Sequence, residues 1–386
     1  MAWRVLASGW RISLTRPLMR RHGRSRILRR TLNPGRGTRM SKIQDDPRID
    51  PRIKAIFGAM DLPAAENAPD RETLLARAAT PEAVASREFL KAFLDSADSE
   101  ALVTSEGLVV TEHRIPSAPD GNTINLRCVR PEGDEVLPCV YYIHGGGMQA
   151  MSCHDGNYRA WARFIAHQGV AVVMVDFRNA LTPSSVPEVA PFPAGLNDCV
   201  SGVKWVAAHA EELRIDAGRI LVAGESGGGN LTLATGMKLL QDGEVDLVGG
   251  LYALCPYIAG AWPDARYPSS TENNGVLLNL HDTNGAMAYG MEAFERRDPL
   301  AWPGFATEDD VRGLPPVMIS VNECDPLRDE GIAFYRLLLR AGVPAQARNV
   351  LGTIHGTEIF PMACPDVSRE TARSIADFCR GTTRPG

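Results

Sequence analysis

From Cys139 onward the chain alternates short apolar runs with amphipathic stretches, and this rhythm limits the folds open to it more than any other feature. Cys139–Ile143, Val170–Phe177, Arg219–Ala223, Leu247–Leu254, Val317–Val321 and Ala345–Val350 read as strands. Tyr158–His167, Leu196–Ala210, Asn230–Gln241, Glu330–Ala341 and Ser368–Cys379 read as helices. Strands alternating with helices of about 10–15 residues imply a mostly parallel sheet covered on both faces. The nearly unbroken apolar run of Val170–Phe177 fits a strand buried on both sides. Ahead of this region, Leu108–Ile115 and Thr123–Val129 read as two strands joined by the turn Pro119-Asp120-Gly121-Asn122. Ser41 to about Asp98 has helical spacing: Ile53, Ile56 and Phe57, then Phe89, Leu90 and Phe93. Prolines at 63 and 69 divide it into short helices. Between Tyr257 and Leu314 the alternation lapses into Pro-, Asn- and Gly-rich sequence with one helical piece near Gly285–Phe294, the pattern of an insertion.

Charge separates the chain into two unlike parts. Residues 1–40 hold eleven Arg and no acidic side chain, although the whole chain has a formal net charge of −5. The remainder is therefore strongly acidic, which excludes a nucleic-acid partner because phosphate contact needs concentrated Lys and Arg. The Arg-rich start is not a secretory signal, since Arg4, Arg11 and Arg16 interrupt its apolar stretches. It reads as a disordered extension or as sequence upstream of a start at Met40, with a transit peptide as the third reading. No apolar run approaches the ~18–20 residues of a membrane helix; the longest, near Val170–Val175 and Gly249–Tyr257, are strand-sized. The eight cysteines are scattered without a Cys-x-x-Cys pair, as expected of reduced thiols in a cytoplasmic protein. Neither a zinc motif nor a nucleotide-binding glycine loop is present, so no cofactor or metal is expected.

Chemistry concentrates at strand ends. Gly224-Glu225-Ser226-Gly227-Gly228 directly follows one strand and precedes a helix. A strand-to-helix turn this tight leaves no room for side chains two positions either side of the serine. Glycines there expose Ser226 at the carboxyl edge of the sheet. His144-Gly145-Gly146-Gly147 follows the strand ending at Ile143. Glycines let main-chain amides turn inward, and those of Gly146 and Gly147, with Gly227, are the expected donors to an oxyanion. His144 precedes the nucleophile and reads as a prop for its loop.

A serine hydroxyl needs a base, and the base needs an acid to orient it. After Ser226 only His281 and His355 remain. His281 falls in the irregular insertion, whereas His355 sits in a loop past the last strand, so His355 is the expected base. Asp325, just past Val317–Val321 and followed by Pro326, is the expected acid. Asp329 is its rival, but it opens a helix beside Arg328.

The combination of His144-Gly-Gly-Gly, Gly224-Glu-Ser-Gly-Gly-Gly-Asn230, Asp325-Pro-Leu-Arg-Asp-Glu-Gly331 and His355-Gly356 resembles the hormone-sensitive-lipase-like esterases of the α/β-hydrolase superfamily. Val175-Asp-Phe-Arg178 and Pro191-Phe-Pro-Ala194 with Asp198 add to the likeness, which runs from about residue 105 to 380. It implies an α/β-hydrolase catalytic domain over 105–386, a helical cap from 41–104 and an insertion at about 257–312. It also implies a cofactor-free carboxylesterase for short to medium acyl chains, acting on a small-molecule ester through Ser226, Asp325 and His355. A non-catalytic small-molecule receptor and an acyltransferase or lyase are the alternatives on this fold; a homo-oligomer is compatible with either. The chain departs from the family at Glu225 and Gly227, where Asp and Ala are usual, at Thr357, and at Asn179-Ala180-Leu181. Met148, Met151, Trp262 and Tyr289 are candidate pocket residues.

Overall fold

The computed structural model describes residues 41–60 and 65–382, so the Arg-rich start lies outside the described residues. The alternation read from the sequence becomes one eight-stranded sheet. β1 (Leu108–Pro116) and β2 (Thr123–Pro131) form an antiparallel hairpin, and β2 lies antiparallel to β4 (Ala171–Asp176). β3 (Leu137–Ile143), β4, β5 (Ile215–Glu225), β6 (Gly250–Leu254), β7 (Val317–Asn322) and β8 (Ala345–Val350) are mutually parallel, in the spatial order β4-β3-β5-β6-β7-β8. Two strand starts differ from expectation by three residues or more. β5 begins at Ile215 because Ile215 pairs with Leu137 across a register shift, and β6 begins only at Gly250 because Val245–Leu247 forms a 3₁₀ turn.

Four helices precede the sheet: α1 (Lys42–Asp45), α2 (Pro51–Phe57), α3 (Arg71–Ala78) and α4 (Pro81–Asp95). Pro51 and Pro81 each open a helix behind a side-chain cap, Asp50 and Thr80, since a first-turn position needs no amide donor. Phe93 of α4 meets Phe57 edge-on, but Phe89 and Leu90 are about half exposed, so the face predicted from their spacing is only partly buried.

The crossover helices take the two faces of the sheet. α5 (Gly156–Ala166) packs on one face and α6 (Ala194–Ala208) and α7 (Gly227–Gln241) on the other. Consecutive residues Tyr141 and Tyr142 of β3 accordingly enter different core clusters, as the alternation of strand side chains requires. The insertion contributes α8 (Ser269–Glu272), α9 (Asn284–Tyr289), α10 (Met291–Glu295) and α11 (Glu308–Val311). The single helix expected near Gly285–Phe294 is broken at Gly290, whose φ of +149° suits glycine alone. α12 (Arg328–Arg340) joins the α6–α7 face, and α13 (Pro365–Gly381) joins α5.

A third core cluster ties Ile43, Ile49, Ile53 and Phe57 from the leading helices to Val276 and to Cys324, Ile354 and Cys364. The N-terminal segment therefore packs on the loops that carry Asp325 and His355. Among the described residues no helix is long and apolar enough to cross a membrane.

Candidate active site

Ser226 stands between β5 and α7 with φ +58° and ψ −118°, a conformation that costs a non-glycine residue energy and persists only when its surroundings fix it. Its amide donates to Leu254 O at 2.9 Å, and its carbonyl accepts from Tyr257 N at 3.1 Å and Asn230 N at 3.0 Å. The flanking glycines are required sterically. A Cβ on Gly224 would lie 2.5 Å from the carbonyls of Ile143 and Gly228, and one on Gly228 would lie 2.0 Å from Ile143 O.

The glycine loop after β3 lies against this turn. A Cβ on Gly227 would meet Met148 N at 2.5 Å and Gly147 N at 2.7 Å, so glycine here lets the two segments close together. Gly146 and Gly147 adopt φ +89° and +64°. Among the described residues neither of their amides engages a protein acceptor. Gly227 opens α7, where the first amides have no intrahelical partner and the helix dipole favours negative charge.

Glu225 anchors the loop. It is buried, and Oε1 accepts from Gly145 N at 2.8 Å and from Tyr158 Oη at 2.5 Å, while Oε2 accepts from Tyr142 Oη at 2.6 Å. Burial pushes its carboxyl above the usual carboxylate range, against the opposing pull of the two phenols. Gly145 is thus engaged structurally, leaving the next two amides to face elsewhere. His144 is fully buried, stacks on Phe177 at 4.3 Å between ring centroids, and sets Nε2 3.4 Å from Asp176 Oδ1. Its Nδ1 lies 3.0 Å from the carbonyl of Gly145 in the glycine loop. Desolvation acts to raise the Asp176 carboxyl, but hydrogen bonding to and the charge of His144 outweigh it and hold the group well below its ordinary range.

His355 and Asp325 meet directly, Nδ1 to Oδ2 at 2.7 Å, with Asp325 fully buried and His355 nearly so. The other carboxylate oxygen accepts from Leu327 N at 2.9 Å, which fixes its plane. Burial alone would lower the imidazole, but the neighbouring Asp325 charge outweighs it and raises His355 well above its ordinary value. The rival residues have other partners. Asp329 accepts from Ser269 N and Arg328 Nε, and His281 contacts Ser270 O. Of the pocket candidates, Trp262 and Tyr289 are buried in an aromatic cluster with Tyr257 and Trp302, and Trp262 donates to Glu330. Met148 is buried behind the glycine loop, while Met151 lies half-buried near Tyr158 Oη.

Several contributors were not legible in the sequence. Tyr142 and Tyr158 belong to the site through Glu225, and only Tyr142 gave a signal, at a strand's carboxyl end. Asn273 of the insertion donates to the carbonyl of Asp325, and Arg48 of the N-terminal segment donates to Asn273, so both outlying regions hold the acid loop.

A parallel sheet with an elbow serine at its carboxyl edge defines the α/β-hydrolase class. A family model described as the alpha/beta hydrolase fold matches residues 140–359. The solved esterase Est22 is 66% identical, with a TM-score of 0.88 over 88% of this chain and 99% of that one; it has also been solved with p-nitrophenol. Brefeldin A esterase, a bacterial homologue of human hormone sensitive lipase, is 39% identical with a TM-score of 0.76 over 87% and 94% of the two chains. Carboxylesterase NlhH of Mycobacterium tuberculosis is 34% identical over 252 residues, 63% of this chain and 74% of its own. The chain belongs to the hormone-sensitive-lipase-like esterase family of α/β hydrolases.

Proposed function

We propose that this chain hydrolyses short to medium acyl-chain esters through Ser226, His355 and Asp325, by way of an acyl-enzyme. It is a carboxylic ester hydrolase, and the observation that carries the mechanistic reading is the buried 2.7 Å contact between His355 and Asp325. Asp325 holds the imidazole tautomer with Nδ1 protonated, which leaves Nε2 free to take the serine proton. Ser226 Oγ attacks the ester carbonyl, the amides of Gly146, Gly147 and Gly227 receive the oxyanion, and His355 returns the proton to the departing alcohol. Water then repeats the cycle on the acyl-serine. The helices of 41–104 and the insertion at 257–312 form the cap over the site.

A series of p-nitrophenyl esters tests the substrate range. kcat/KM is expected to peak among short to medium acyl chains and to fall steeply for long ones. A burst of p-nitrophenol equal to the enzyme concentration, with the acyl group found by mass spectrometry on the Ser226 peptide, marks the intermediate. A maximum at long chains, or an acyl group on another residue, contradicts the reading.

The raised imidazole gives the reaction a pH signature. Because His355 keeps its proton to higher pH than an ordinary imidazole of about 6.5, its basic form appears late. kcat/KM is therefore expected to climb with pH along a limb centred above that value. Asp325→Asn removes the carboxylate charge and is expected to move the limb downward while reducing the plateau. An unmoved limb in the variant's pH–rate profile contradicts the assignment.

A further inference from the structure

Cys255 plays no part in the cycle above, yet its position is unusual. It follows β6 directly, it is fully buried, and its φ of +33° is one that residues with a side chain rarely adopt. Its amide donates to Ser320 O at 2.7 Å, next to the Leu254 carbonyl that receives the amide of Ser226. Its Sγ, a carboxylate oxygen of Asp325 and a ring nitrogen of His355 all lie within 4.8 Å of one another. We propose that Cys255, Asp325 and His355 form an inhibitory site for a thiophilic divalent cation, Zn²⁺ or Cd²⁺, whose binding disables the acid–base pair.

Thiolate, imidazole and carboxylate together are a donor set for zinc, and one sulfur with one nitrogen disfavours magnesium and calcium. Tetrahedral zinc, with bonds of about 2.0–2.3 Å, needs its ligand atoms roughly 3.2–3.7 Å apart. The thiol, at most 4.8 Å from the other two ligand atoms, must therefore draw in to that spacing, while the His355–Asp325 contact opens from 2.7 Å. Three protein ligands leave the fourth position to water. Binding balances simply. The Cys255 S–H and His355 Nδ1–H bonds break, the thiol proton passes to solvent and the imidazole proton to Nε2 or solvent, and the sulfur–metal and nitrogen–metal bonds take their place. Burial pushes this thiol up to about 11, so it is protonated in the resting protein and the metal must displace that proton. Once ligated, the imidazole and carboxylate can no longer orient or accept the serine proton, and hydrolysis stops. The inference rests on the proposed roles of Asp325 and His355.

Hydrolysis of p-nitrophenyl butyrate by the full chain, in chelator-free buffer, is expected to fall at least tenfold with micromolar ZnCl₂ or CdCl₂ and to recover with EDTA. MgCl₂ at the same concentration is without effect. Cys255→Ala and Cys255→Ser are expected to need at least tenfold more metal for the same inhibition, whereas Cys324→Ala tracks the parent. Binding is read separately on the Ser226→Ala protein, by thiolate-to-cadmium charge-transfer absorption that disappears when Cys255→Ala is added. Crystals grown with CdCl₂ locate the ion by anomalous scattering without any cysteine variant. Unaltered metal sensitivity in both Cys255 variants, or an anomalous peak away from these three residues, overturns the proposal. An inactive metal-free parent instead refutes the esterase mechanism, while the cadmium titration still decides the site.

Discussion

Ser226→Ala is expected to lower kcat for a chromogenic short-chain ester by about 10⁴-fold or more. The oxyanion amides and the substrate contacts remain, so the residue of activity is what they alone supply. The variant is also expected to fold as well as the parent, because among the described residues the strained turn is held by the main-chain bonds to Leu254, Tyr257 and Asn230 and not by the hydroxyl. Some relief of strain is lost to neither, since Ala and Ser share the same Cβ. Steady-state kinetics alongside a thermal melt separates the two properties. A variant that keeps more than about one hundredth of the parent kcat shows that another nucleophile carries the reaction.

The second large effect is expected at Glu225. Its carboxylate is the acceptor for three donors in a buried site, Gly145 N, Tyr142 Oη and Tyr158 Oη. Glu225→Ala leaves all three without that acceptor. An orphaned buried donor costs about 1–3 kcal/mol, and partial relaxation brings the expected total to about 3–5 kcal/mol. At roughly 2–4 °C per kcal/mol for a chain of this size, the melting midpoint falls by about 6–20 °C. The glycine loop also loses its tether to the elbow, and an ångström of misplacement at the oxyanion amides costs on the order of 10²-fold in kcat. KM changes less, because the loop acts on the transition state. Glu225→Gln keeps an acceptor oxygen and is expected to recover most of the stability. Equal losses of stability and kcat in Gln and Ala variants would rule out this positioning role.

Local sequence was sufficient for the elements that carry the chemistry. The glycines around Ser226 and after His144 mark both turns in the sequence itself, although the backbone that a Cβ on Gly228 would meet belongs to Ile143 and His144 of the neighbouring strand end. The strand and helix order followed from apolar spacing, which has a short period and needs no tertiary information. Where boundaries moved, a non-local contact was responsible, as in the pairing of Ile215 with Leu137 that extends β5.

Tertiary structure alone decided which distant groups meet. Nothing near Cys255 in the chain indicates that its thiol lies beside Asp325 and His355; parallel strand order brings the ends of β6, β7 and β8 to one edge. Nor does the sequence around Arg48 or Asn273 reveal that they brace the acid loop. Steric exclusion and periodicity act over a few residues and can be read from the chain. Hydrogen bonds and ion pairs between segments far apart depend on where the sheet delivers them, and only the folded arrangement fixes that.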